Sequence, residues 1–491
     1  MFLPLSSHAY DMTDFAVIDG LWYEICYDTE TYAGEAHVFM AAYDDPFWQG
    51  SNPIIDIRPE VNGFPVTKVL GVGGIPESVG PTMVFIPNTV SEIGEYAFSH
   101  CNIERVSISG YYYGVESTGL IIGTSAFEGC ENLEYISSEV PIAEIGECAF
   151  KDCTKLTVFQ YPYDDNTVTT LSRGCFYGCS SLSSAPIPSS VTTIDDAAFL
   201  YCTGMTYADI PNQVTTIGTY AFAQCGKLKN LYLNDALTTI KEGAFLFCEE
   251  LPSVTLPNSV TTLGNMAFAG CRKLTTARLS TGITSIPSRA FAGCYALTGI
   301  NIPNSVKHIG ERAFEGCDFM GAASYDIYYP HLGTMEEGVY EDNGSMQNIT
   351  IGNSVDTIDI YAFVGHPLQS VTVMAPVPPV LKEGTAVSNP TVFDSKNFET
   401  TTLYVPLVMV NRYKTAHEWE LFTNIEGIQV MGSGDANGDG QVAISDVAAL
   451  IDKLLDDPSE TFNPINADVN GDGVISIADV SKLIDILLGI D

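Results

Sequence analysis

A five-residue word, Ala-Phe-x-x-Cys, recurs through the middle of this chain and constrains its fold more than any other feature. Its phenylalanines are Phe98, Phe127, Phe150, Phe176, Phe199, Phe222, Phe245, Phe268, Phe291 and Phe314, and from Phe176 onward every step is 23 residues. A constant period of this length marks a solenoid, in which each repeat has an apolar face that only a neighbouring copy can cover. The inward places keep one register. Counted from Cys225 they fall on Leu228, Leu231, Leu233, Leu237, Ile240, Ala244 and Phe245; counted from Cys294 they fall on Leu297, Ile300, Ile302, Val306, Ile309, Ala313 and Phe314. Alternation at Leu231 and Leu233 predicts a short strand, and Pro257-Asn258 and Pro303-Asn304 predict a turn. Val-Thr-x-Ile-Gly predicts a second short extended run, and the Ala-Phe-x-x-Cys word one helical turn on the opposite side.

The cysteines follow from the same period. Of 13, ten (Cys101, Cys130, Cys153, Cys179, Cys202, Cys225, Cys248, Cys271, Cys294 and Cys317) occupy one repeat position, and Cys26, Cys148 and Cys175 stand outside it. One cysteine per coil gives no paired spacing for zinc or for a disulfide framework, so the ten are expected to form a buried ladder, with Cys175 replacing the recurring alanine beside Phe176. A degenerate coil fits Met346, Ile349, Ile351, Val355 and Ile358, with Tyr340 in the Phe place and Asn343 in the Cys place. A last coil is expected to end at Phe363 with His366 in the Cys place. This pattern is similar to the BspA-like leucine-rich repeats of bacterial surface proteins over residues 81 to 430. A solenoid needs its end coils hidden from water. Residues 10–80 are expected as an N-terminal β cap, 81–374 as the repeats and 375–430 as a C-terminal cap.

After a linker at 431–434, residues 435–491 carry a second signature. Asp435-Ala-Asn437-Gly-Asp439-Gly440 closes at Asp446, and Asp468-Val-Asn470-Gly-Asp472-Gly473 closes at Asp479. Oxygens at loop positions 1, 3, 5 and 12 converge on a hard cation, the glycine at position 6 permits the turn, and position 7 (Gln441, Val474) gives its backbone carbonyl. Position 9 offers Ser476 in the second loop but only Ala443 in the first. Each loop runs into an amphipathic stretch: Val447, Leu450, Ile451, Leu454 and Leu455, then Val480, Leu483, Ile484, Leu487 and Leu488. No comparable helical pattern leads into either loop, which sets the segment apart from a helix-loop-helix hand. Over Gly434 to Gly489 it resembles a type I dockerin. That resemblance implies two calcium ions and a cohesin domain of a scaffold protein as partner, plausible membership of a polysaccharide-degrading complex, and folding coupled to metal binding.

Sixty Asp plus Glu against 21 Lys plus Arg give a formal charge of −39, which argues against nucleic acid and anionic membranes as partners. No apolar run reaches the roughly 18 residues needed to span a bilayer. Residues 1–9, ending in Ser7-His8-Ala9, read as the remnant of a signal peptide, so the expected location is extracellular or on a bacterial cell surface. The histidines are scattered and no nucleophile–base constellation occurs, so the chain is not expected to be an enzyme. Binding fits the repeating surface better. Candidate ligand residues are Tyr207, Asp209, Tyr232 and Arg278 on the outward strand positions, with Tyr112 and Tyr328 in insertions, and a protein or a polysaccharide as ligand. A host-matrix adhesin and a glycan-active hydrolase subunit with an unrecognised site are the alternatives.

Overall fold

The structure is a computed structural model that describes residues 12–41 apart from 20, 28–30 and 32, then 54–71, 82–109, 119–162, 167–316, 346–382 and 391–428. In the tail it describes 434, 436–437, 442–455, 462, 467, 469 and 475–488. The chain divides into two compact units, Met1–Pro252 with Ala267–Arg272, and Ser253–Met266 with Lys273–Asp491.

In the first unit, three antiparallel strands, Met12–Ile18, Leu21–Tyr27 and Gly34–Ala41, lead into a parallel ladder through Phe64–Val69. The ladder continues through Glu92–Ile93, Leu120–Ile122, Ile142–Ile145, Thr170–Leu171, Thr193–Ile194, Thr216–Ile217 and Thr239–Ile240. The later strands are two residues long because each coil needs only one inward and one outward place: Leu171, Ile194, Ile217 and Ile240 are buried while the threonines before them face out. Asn62 and Gly63 both have positive φ, 53° and 87°, and join Glu60–Val61 to Phe64–Val69 as a tight hairpin. On the opposite edge of the coils, Ile54–Asp56, Met83–Pro87, Arg105–Ser109, Tyr135–Ser138 and Val158–Gln160 form a second parallel sheet, and Tyr207–Asp209 pairs with Asn230–Tyr232.

The helical turn expected of the Ala-Phe-x-x-Cys word takes the form of overlapping turns. The N–H groups of Ala97, Ser99 and Cys101 donate three residues back, to Gly94, Tyr96 and Phe98. Those of Tyr96, Phe98 and His100 donate to Thr124, Ala126 and Glu128 in the next coil. This alternation uses left-handed residues two places before and two after the phenylalanine: Tyr96 and His100, Ser125 and Gly129, Tyr220 and Gln224 all have φ between 51° and 72°. Half of the donors that a helix would keep internally therefore link successive coils.

The buried phenyl rings stack from Phe98 to Phe268 with centroids 5.0 to 5.5 Å apart and planes within 19° of parallel. Strand spacing of about 4.8 Å sets this rise, and the slight excess is the offset that aromatic quadrupoles prefer. Each ladder thiol from Cys130 to Cys271 donates to the carbonyl of the phenylalanine one coil back, for example Cys130 to Phe98 at 3.0 Å and Cys225 to Phe199 at 3.3 Å. Burial pushes the Cys101 thiol up to about 12 and raises those of Cys130, Cys153, Cys179, Cys202, Cys225 and Cys248 in the same direction. The described cysteines are all free thiols. Cys175 is buried beside Phe176, where alanine stands in other coils.

The glycine of the Ile-Gly word has a steric cause. A Cβ on Gly218 would lie 2.5 Å from the carbonyl carbon of Asp195 and 2.5 Å from the Asp196 nitrogen. Gly218 N donates to Ile194 O at 2.7 Å, whereas Asp195 and Lys241, at the same repeat position, make the equivalent bond at 2.9 Å. The glycine leaves no room for a side-chain carbon between the two coils. Gly218→Ala is expected to cost about 1–3 kcal/mol by forcing the two coils apart, readable as a lower urea midpoint with unchanged circular dichroism.

In the second unit the spine runs Phe291, Phe314, Phe363, Phe393 at 5.5, 5.4 and 5.5 Å. Phe314 thus stacks directly on Phe363, and Gly299–Asn301 pairs directly with Asn348–Thr350. Tyr340 and Asn343, expected in the Phe and Cys places, lie outside the described residues. Met346, Ile349, Ile351, Val355 and Ile358 are buried as the register requires. His366 takes the cysteine's part, with Nε2 bonded to the Phe314 carbonyl. Phe393, which the repeat word did not reveal, extends the spine and meets Phe398, Trp419 and Phe422 edge-on. Trp419 Nε1 donates to Pro379 O at 2.8 Å, so the buried indole is satisfied. Strands Ser370–Val373, Thr402–Pro406 and Asn424–Ile428 finish the second unit's sheet in parallel.

Candidate functional site

The tail carries two helices, Ile444–Leu454 and Ile477–Leu488. Val447 and Leu450 on the first and Val480, Leu483 and Ile486 on the second are buried, as the 3.6-residue spacing demands. Asp446 and Asp479 sit in the first turns of these helices, where the unpaired N–H groups favour an anion. Both are fully buried. Asp446 Oδ1 accepts from Asn437 N at 3.0 Å and its Oδ2 from Ala443 N at 2.8 Å, so one carboxylate ties loop positions 3 and 9 to the helix. Asp479 Oδ2 accepts from Ser476 N at 2.8 Å, and the Ser476 hydroxyl lies 3.4 Å away. Ser476 Oγ also accepts from Ala478 N at 3.1 Å, capping the second helix.

A carboxylate has about four lone-pair sites, so these bonds leave capacity for a cation. The donors at both loops are all oxygens, the chemistry of calcium rather than of a soft metal. A fully buried carboxylate closing each of two acidic loops fits that ion. Of the eleven metal-ligand candidates, Asn437, Asp446, Ser476 and Asp479 are placed as described; Asp435, Asp439, Gln441, Asp468, Asn470, Asp472 and Val474 lie outside the described residues.

The ligand-face candidates are brought together in part. Tyr207 and Tyr232 stand side by side on paired strands, 40% and 55% exposed, with ring centroids 5.7 Å apart at 48°. Asp209 lies two residues along from Tyr207, its Oδ2 3.5 Å from the Tyr207 hydroxyl. Arg278 is exposed at the end of Thr276–Arg278 in the second unit, on a strand paired with Ser253–Thr255. Tyr112 and Tyr328 lie outside the described residues.

Comparison with known proteins settles the family. The profile for the BspA type leucine rich repeat region matches in six copies, over residues 80–206, 120–250, 215–327 and 320–380. The chain belongs to the BspA-type leucine-rich repeat proteins. In this BspA-type chain the dockerin type I domain profile matches residues 433–488. Both families are non-catalytic, and a type I dockerin implies calcium as ligand and a cohesin as partner. A leucine-rich repeat protein from Bacteroides ovatus ATCC 8483 is similar in structure, with TM-score 0.52 and 22% identity, covering 86% of this chain and 100% of its own. A leucine rich cell surface protein from Faecalibacterium prausnitzii A2-165 aligns at TM-score 0.37 and 23% identity over 71% of this chain and 91% of its own. The pneumococcal vaccine antigen PcpA aligns at 0.47 and 16% over 85% and 97%. No curated protein matches the sequence. Among the described residues no helix is long and apolar enough to cross a membrane.

Proposed function

We propose that this chain is a non-catalytic recognition protein of the cell exterior or cell surface. Its repeats bind a protein or glycan ligand, and its tail attaches it, with two calcium ions, to a cohesin-bearing scaffold of a polysaccharide-degrading complex. The observation that carries the reading is the pair of fully buried carboxylates, Asp446 and Asp479, in the same place 33 residues apart. Buried charge is tolerated when it is paired or holds a metal. Asp435, Asn437, Asp439 and the Gln441 carbonyl would complete the first ion's oxygens, and Asp468, Asn470, Asp472, the Val474 carbonyl and Ser476 the second's. Calcium supplies the positive charge that lets these carboxylates converge.

The docking face has support from equivalent exposed apolar groups. Ile444 and Ile477, also 33 residues apart, are 75% and 69% exposed beside the loops, and Leu455 and Leu488 repeat the pattern at the helix ends. Such groups at matched positions suit a protein partner better than solvent. Capture of the full-length chain on a panel of immobilised cohesin domains tests the reading: binding with calcium and release by chelator support it, and calcium-independent binding or none to any cohesin refutes it.

For the repeats, the Tyr207–Tyr232 pair beside Asp209 supports a ligand with planar or polar faces, because tyrosine offers rigid amphipathic area at low entropic cost. On an array of polysaccharides and extracellular proteins, Tyr207→Ala with Tyr232→Ala is expected to weaken the retained ligand at least ~10-fold while the melting temperature stays put. Undiminished binding would move the ligand to another face.

A further inference from the structure

Outside the tail and the tyrosine face, the N-terminal strands bring together three side chains that ligate transition metals: Glu24, Cys26 and His37. All three are buried, and one ligand atom from each lies within 4.8 Å of the other two. The register produces the cluster. Leu21–Tyr27 and Gly34–Ala41 run antiparallel with Glu24 opposite His37 and Cys26 opposite Glu35, and residues two apart on a strand share a face, so the four form a square.

The two nitrogens of His37 have different surroundings. Nδ1 is 3.9 Å from Glu24 Oε2 and has no hydrogen-bond partner, whereas Nε2 lies 3.2 Å from Glu35 Oε1, within reach of that carboxylate. Glu35 is fixed from behind by the Thr67 hydroxyl, which donates to its Oε2 at 2.6 Å. A buried imidazole nitrogen left unsatisfied is costly. A metal on Nδ1 removes that cost and orients the ring so that Nε2–H turns to Glu35, the carboxylate–histidine–metal arrangement that recurs in metal sites.

We propose that Glu24, Cys26 and His37 bind a zinc-class transition metal, His37 through Nδ1, with Glu35 and Thr67 as the outer support that holds the imidazole. A thiolate and an imidazole select zinc over calcium. Ligands about 2.0–2.3 Å from a zinc ion stand roughly 3.3–3.8 Å apart, so side-chain adjustments of about 1 Å bring the three onto one ion, and a fourth position is left to water. Binding releases the Cys26 thiol proton. The proposal is independent of the calcium reading.

Cobalt(II) is the probe, because a thiolate ligand gives it a sulfur-to-metal charge-transfer band that carboxylate sites cannot. The full-length chain, kept reduced and saturated with calcium, is expected to retain one equivalent of cobalt after desalting and to show that band, with zinc displacing it. Cys26→Ser should abolish the band, Cys101→Ser should keep it, and Glu35→Gln should weaken binding at least ~10-fold. Absence of the band from the wild-type chain overturns the proposal whatever the variants do, leaving a buried histidine–carboxylate ion pair. A band that survives Cys26→Ser overturns it equally.

Discussion

Asp446→Ala is expected to abolish calcium-dependent cohesin capture by the full-length chain, and Asp479→Ala to do the same. Asp446 accepts two backbone N–H bonds that join loop and helix, and it is the twelfth-position ligand of the proposed calcium loop. A hydrogen bond to a buried charged group contributes about 1.5–3 kcal/mol, so losing two costs at least ~3 kcal/mol, roughly a hundredfold in the folding equilibrium of the first loop, before any lost metal contact is counted. The result is checked by calcium titration of each variant, followed by helical circular dichroism and by cohesin capture. Asn substitution, which keeps the acceptor but not the charge, should fall between wild type and alanine. Full capture by Asp446→Ala would mean that the carboxylate is structural decoration.

Phe222→Ala is expected to carry the largest stability loss in the repeats, about 3–5 kcal/mol, because it removes a fully buried ring stacked at 5.1 and 5.4 Å on Phe199 and Phe245. The ring is also backbone-coupled: Phe222 N donates to Ala244 O, and its carbonyl accepts the Cys248 thiol one coil on. A gap there cannot collapse without dragging both neighbours from their strand register. Because repeat proteins are stabilised through nearest-neighbour contacts, denaturant unfolding should become broader as well as earlier. Phe222→Leu should lose much less. A shift below ~1 kcal/mol for the alanine variant would show that the spine is not what holds the coils together.

Much of this architecture was legible in the chain because its period is so regular. A fixed 23-residue step from Phe176 to Phe314 places those phenylalanines at one radius, and two acidic loops of matched spacing point to an oxygen-ligated cation in the tail. The backbone inside the repeat word was harder to read. Left-handed residues flank each phenylalanine, but glycine marks them only at places such as Gly129, Gly174, Gly243 and Gly270, while Tyr96, His100, Tyr220 and Gln224 hide the same conformation behind ordinary side chains. Tertiary hydrogen bonds between coils impose it there, and no local propensity predicts it.

Two further features depend on pairing that a linear reading does not supply. The stretch after Cys317 breaks the regular 23-residue step, so the period alone does not say which strand follows Gly299–Asn301. Strand pairing across it, Gly299 with Asn348, shows which coils are neighbours. Glu24-x-Cys26 and Glu35-x-His37 look like unrelated polar interruptions of two strands until their register sets them face to face. Cys26 was then simply a cysteine outside the ladder. The exposure of Ile444 and Ile477 has no signal in the sequence either, since an apolar residue between a loop and a helix usually faces inward.

The most direct test is hydrogen exchange of the full-length chain with calcium and with excess chelator, compared peptide by peptide. The account predicts that protection is lost over residues 434–488 when calcium is withdrawn, while the repeats from Phe98 to Phe363 exchange identically in both conditions. Equal protection of the tail with and without calcium would contradict it.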